Sequence, residues 1–170
     1  MTLIRRALDG LYGLSAVLAA LCLIMILLLI LVQMLARWTG EVFPGAPDYA
    51  GYAMAAASFL AFASALNKGS HIRVSLLLNA VGPKLRHWLN VWCFAVATAV
   101  GWYVAYFIWR MIGFAIKFND VSQGQDATPL WIAQAPVLVG SIILAIALTD
   151  NLVTLLLTGK DHIVKEVASE

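Results

Sequence analysis

Four long apolar runs, separated by short polar connectors, make up most of the chain. The runs extend over Leu11–Ala36, Tyr49–Leu66, Trp88–Ile116 and Leu130–Leu157. Together they contain one basic residue, Arg110, and one acid, Asp150. Since a helix needs about 20 apolar residues to cross a hydrocarbon core about 30 Å thick, we predict an all-α membrane protein with four transmembrane helices. Residues 1–170 then form a single membrane domain.

Composition agrees with this pattern. The chain has 170 residues, of which 62% are hydrophobic and 12% are charged, whereas soluble domains carry about 25% charged residues. The net charge of +2 gives no indication of nucleic-acid binding. The first run is much longer than the apolar core of about 7–15 residues in a signal peptide, so we expect it to be retained as a helix.

The connectors predict the orientation of the chain. With four spans, both termini and the second connector lie on one side of the membrane. That side carries eight basic residues: Arg5, Arg6, Lys68, Arg73, Lys84, Arg86, Lys160 and Lys165. The other side carries Arg37, Arg110 and Lys117. Because cytoplasmic connectors are enriched in Lys and Arg, we predict that both termini are cytoplasmic.

Two runs carry small residues at every fourth position. These residues are Ala53, Ala57, Ala61 and Ala65 in the second run, and Cys93, Ala97, Gly101 and Ala105 in the third. In lipid, helices associate by close approach over small residues, so all eight are candidates for subunit packing. Packing within the chain alone, with the second helix against the third, is the alternative.

The second connector mixes basic residues with a short apolar stretch that cannot span a bilayer. We predict an amphipathic segment in the cytoplasmic interface between helices 2 and 3. Its candidate lipid-interface residues are His71, Arg73, Lys84 and Arg86.

The sequence predicts no catalytic, cofactor-binding or metal-binding residue. His71, His87 and His162 all lie in connectors or in the tail, and Cys22 and Cys93 form no metal-binding motif. The helix middles also lack the ionisable residues that are typical of ion-coupled transporters. We therefore expect a non-enzymatic helper of transport or assembly, with Arg110 near the outer interface and Asp150 and Asn151 near the inner one.

Several short motifs resemble one family. The segment Gly69–Leu78, GSHIRVSLLL, with Pro83, Arg86 and a Trp-rich third run, resembles the small DctQ-type membrane subunit of tripartite ATP-independent periplasmic (TRAP) transporters. The stretch Thr128–Ile132 with Pro136 and Gly140, the position of Arg37 and the acid Asp48 are also similar. The chain departs from the family pattern at Ser75, where an acid is common, and at Asp48, where Glu is common.

The resemblance implies a function. Such a subunit pairs with a large permease subunit, which carries the substrate and sodium sites, in the bacterial inner membrane. A periplasmic binding protein delivers an organic acid, and the small subunit acts as a scaffold without a cofactor of its own. Outer charged residues could help to dock the binding protein, although solvation alone also explains them: Arg37, Glu41, Asp48, Lys117, Asp120 and Asp126.

Two alternatives remain open at this point. The chain could be a passive anchor or assembly subunit of another bacterial membrane complex, in which case a redox enzyme would co-purify with it. It could also be an independent small transporter, which would produce flux in liposomes without other subunits.

Overall fold

A computed structural model describes residues 2–41, 44–67, 82–124 and 127–158. These ranges contain four helices: α1 (Thr2–Thr39), α2 (Ala46–Asn67), α3 (Pro83–Phe118) and α4 (Leu130–Thr158). All four are long and apolar enough to cross a membrane, so the predicted all-α fold with four spans is confirmed. The predicted interfacial segment, including His71 and Arg73, lies outside the described residues.

Local sequence explains where the helices begin and end. Pro83 occupies the first turn of α3, where its missing N–H removes no helical hydrogen bond. At the other end of α3, Asn119 adopts a left-handed conformation (φ 51°), and its N–H is directed at the carbonyls of Ala115 and Ile116. The turn from α1 to α2 contains Gly40 and Gly45, both with φ above 80°, a region that glycine adopts without steric cost.

The helices are arranged in the order α1, α2, α4, α3. The extensive contacts join α1 to α2, α2 to α4, and α4 to α3. The predicted pairing of the second helix with the third is therefore wrong, because each of them packs against α4 instead. α2 and α4 are the central helices, and α1 and α3 expose most of their surface.

Small residues hold the central helices together. A Cβ atom on Gly140 of α4 would lie 2.6 Å from the carbonyl carbon of Phe59 and 2.8 Å from the amide nitrogen of Leu60. The backbones of α2 and α4 are thus in direct contact at this point. Below it lies a buried cluster from α1, α2 and α4, formed by Tyr12, Ala19, Leu60, Ala63, Ile143 and Ala147.

The helix ends define two levels along the helix bundle. From Leu130 to Asn151, α4 rises about 32 Å at 1.5 Å per residue, which matches a hydrocarbon core about 30 Å thick. The N–H of Leu130 donates to the carbonyl of Asp120 at 3.0 Å, so α3 ends at the same level as α4 begins. Following the orientation that the basic residues predict, we call this the outer level, and the level of Asn151 the inner level.

Candidate functional site

The small face of α2 is used largely inside the chain. Ala53 and Ala57 are buried, while Ala61 and Ala65 are half-buried. Ala56 and Ala63 are buried as well, which places the centre of this face slightly to one side of the predicted ridge. The helices that pack against α2 are α1 and α4.

The small face of α3 has a similar role. Gly101 and Ala105 are buried, Ala97 is half-buried and Cys93 is exposed. A Cβ atom on Gly101 would lie 3.2 Å from Leu148 Cδ1 and 3.5 Å from the Cα of Ala145. Packing on α4 therefore accounts for the glycine at this position. Of the eight subunit-packing candidates, Cys93 is the one whose side chain is exposed.

The outer connector between α3 and α4 is held against the start of α2. The hydroxyl of Tyr52 donates to Ser122 Oγ at 2.7 Å, and the hydroxyl of Thr128 lies 3.5 Å from that of Tyr49. The carboxylate of Asp48 lies so close to Gly124 that a Cβ atom there would overlap it. We call this set of contacts the outer clasp.

The connector also has internal order. The N–H of Ser122 donates to the carbonyl of Thr128 at 2.8 Å, and Val121 lies opposite Pro129 in an isolated β-bridge. Together with the outer clasp, these bonds hold the connector as a small hairpin at the outer level. The sequence did not predict that α2 holds this hairpin, because the hydroxyl contacts of Tyr52 and Tyr49 reach residues 70 and 79 positions away in the chain.

The described members of the predicted docking set lie near the helix ends at the outer level. Arg37, Glu41, Lys117 and Asp120 are exposed, and Asp48 is half-buried within the outer clasp. Asp126 lies outside the described residues. On the opposite side, Arg86 is exposed, whereas the side chain of Lys84 is outside the described set.

A polar contact joins α2 and α4 at the inner level. Asn151 Nδ2 donates to Asn67 Oδ1 at 2.9 Å and to the carbonyl of Ala147 at 2.8 Å. Asn151 is 8% exposed, so it is buried rather than placed among headgroups as its depth in the run predicted. The neighbouring Asp150 is half-buried.

Potential metal ligands do not cluster in the described ranges. Within them, no three His, Cys, Asp or Glu side chains lie close enough together to hold a metal ion. The four helices are continuous, and α4 continues through Pro136. The arrangement thus defines a small multi-pass membrane protein that is built around helix packing.

Comparison with known proteins gives the family. Residues 25–158 match the family described as tripartite ATP-independent periplasmic transporters, DctQ component. No curated protein and no solved structure matched the chain. Since the family match covers most of the chain, the protein belongs to the DctQ family and is the small permease component of a TRAP transporter, a multi-pass protein of the inner membrane. Components of this type work together with a large permease and a binding protein.

Proposed function

We propose that this chain is the non-catalytic scaffold subunit of a sodium-coupled TRAP transporter that imports organic acids. Its DctQ family membership places it in a multi-subunit transporter. The observation that carries the scaffold role is the direct contact of α2 with α4 at Gly140 and Phe59. Backbones in such close contact resist sliding, because packed interiors deform little.

The continuity of the described helices supports the same proposal. Secondary transporters typically bind their ions and substrates at interrupted helices near the bilayer midplane. The described helices here are continuous. Substrate and sodium sites would then belong to the large subunit, and no observation favours the alternative of a passive anchor for a redox complex.

The outer clasp supports a role in docking the periplasmic binding protein. It fixes a hairpin beside Asp48 and presents Asp120 to solvent. A fixed polar surface loses little conformational entropy when a partner binds. The docking role requires the hairpin to face the periplasm. The distribution of basic residues favours this orientation, in which both termini are cytoplasmic.

Reconstitution tests the proposal. Proteoliposomes that contain this chain, the large subunit of its own transporter and the binding protein should accumulate an organic acid under an inward sodium gradient. Vesicles that lack this chain should not do so, although the binding protein still binds its substrate. Uptake by vesicles that contain this chain alone, or full uptake without it, would contradict the scaffold role.

A further inference from the structure

The two edge helices expose very different surfaces. Between residues 21 and 35, every exposed side chain of α1 is Leu, Ile, Val or Met. This composition suits contact with acyl chains. The exposed face of α3 instead carries aromatic, phenolic and charged side chains within its membrane-spanning part. The exposed surface of α1 is thus suited to lipid, whereas acyl chains would solvate the exposed surface of α3 poorly.

The unusual residues of α3 form a single line, which we call the α3 stripe. It consists of Tyr103, Tyr106, Arg110, Phe114 and Lys117, all exposed. Their spacing of three or four residues places them on one side of the helix. That side is opposite the face through which Gly101 and Ala105 pack on α4, so the stripe is directed away from the rest of the chain.

Arg110 lies well inside α3 rather than at its end. It precedes Phe118 by eight positions, which places its Cα about 12 Å below the outer level at 1.5 Å per residue. Its guanidinium lies over the ring of Phe114, 5.6 Å from the ring centroid, and it makes no ion pair among the described residues. An unpaired charge within a membrane-spanning helix is costly, and residues of this kind usually face a protein partner.

Tyr106 adds a second unsatisfied polar group one turn further in. Its Cα lies about 18 Å below the outer level on the same scale. The ring packs edge-on against Phe107, with centroids 5.5 Å apart, but the hydroxyl has no hydrogen-bond partner among the described residues. Acyl chains offer neither an acceptor for this hydroxyl nor a counter-charge for Arg110.

We infer that the α3 stripe is the surface that binds the large permease subunit. The occupant is a membrane helix of that subunit, with a carboxylate facing Arg110 and a hydrogen-bond acceptor facing Tyr106. Charge complementarity selects such a helix over lipid, because a carboxylate satisfies several guanidinium donors at once. This inference rests on the proposed function and names the face that meets the partner.

Co-purification and photocrosslinking test this interface in the assembled transporter. The large subunit carries the affinity tag, and the ratio of small to large subunit is measured after mild detergent extraction. Arg110→Gln should lower this ratio about tenfold or more, because it leaves the carboxylate of the partner buried and unpaired. In an otherwise unchanged chain, p-benzoylphenylalanine at position 106 should crosslink to the large subunit.

Matched variants on α1 provide the controls. Leu31→Ala removes an exposed side chain at a similar distance from the end of its helix, and should leave the ratio unchanged. The photoreactive residue at position 27 of α1 should not crosslink to the large subunit. An undiminished ratio for Arg110→Gln, or crosslinking from position 27 but not from 106, overturns the inference. Failure of the unmodified chain to co-purify with the large subunit overturns the proposed function itself.

Discussion

Asn67 and Asn151 are 84 positions apart in the chain, yet their side chains are joined by a hydrogen bond of 2.9 Å at the inner level. Asn151 also donates to the carbonyl of Ala147 in its own helix. Both amide protons of Asn151 are thereby used in a buried position, and the inner ends of α2 and α4 are held at a fixed separation.

The Asn67–Asn151 hydrogen bond predicts a measurable coupling energy between the two side chains. Asn151→Leu should lower the free energy of unfolding by about 1 kcal/mol, because Asn67 then loses its partner and hydrogen bonds between membrane helices contribute about 0.6–2 kcal/mol. Unfolding in mixed SDS and detergent micelles measures the change. Ser58→Ala, at an exposed serine bonded to its own helix, is the control and should change stability by less than about 0.5 kcal/mol. A double-mutant cycle with Asn67→Leu that shows no coupling would contradict the prediction.

The contact of Gly140 with Phe59 predicts that one methyl group added at position 140 destabilises the protein. Gly140→Ala would place a Cβ atom against backbone atoms, which cannot move aside as a flexible side chain can. We expect destabilisation of about 1–3 kcal/mol from this overpacking, measured by the same unfolding assay.

Two other glycines provide a graded comparison for Gly140. Gly101→Ala meets the flexible side chain of Leu148 at 3.2 Å and should have a smaller effect. Gly113 has no atom within 4 Å of an added Cβ, so Gly113→Ala should stabilise α3 by up to about 1 kcal/mol. Equal changes in the free energy of unfolding for Gly140→Ala and Gly113→Ala would show that α2 and α4 are not in backbone contact.

The outer clasp predicts local rather than global stabilisation. Tyr52→Phe removes the 2.7 Å hydrogen bond to Ser122. This should lower the local stability of the hairpin by about 0.5–1.5 kcal/mol. Hydrogen exchange should become faster at the amides of Ser122 and Leu130, while the amides of the α2–α4 contact stay protected. Tyr49→Phe affects a longer contact of 3.5 Å and should have a smaller effect. Unchanged exchange in Tyr52→Phe would mean that the hairpin does not depend on α2.

The orientation of the chain can be measured by cysteine labelling. In a background of Cys22→Ala and Cys93→Ala, the variant Gln123→Cys should react with an impermeant maleimide on intact spheroplasts. The variant Ser169→Cys should react only after the membrane is permeabilised. The reverse pattern would place the termini in the periplasm and remove the docking role of the hairpin.

Hydropathy alone determined the number of spans and the fold class. Apolar runs long enough for a bilayer have few other structural solutions, because backbone groups in hydrocarbon must bond within their own helix. Short motifs around Gly69–Leu78 and Thr128–Ile132 also led to the family that residues 25–158 match. These features depend on local sequence and require no knowledge of which helices are neighbours.

Only the tertiary structure decided the neighbours of each helix. Small faces on α2 and α3 fit any other small face equally well, so their spacing did not reveal that both pack on α4. The burial of Asn151 likewise depends on which helices pack beside it. Side chains on different helices determine these relationships, and residues such as Asn67 and Asn151 meet only after the whole chain has folded.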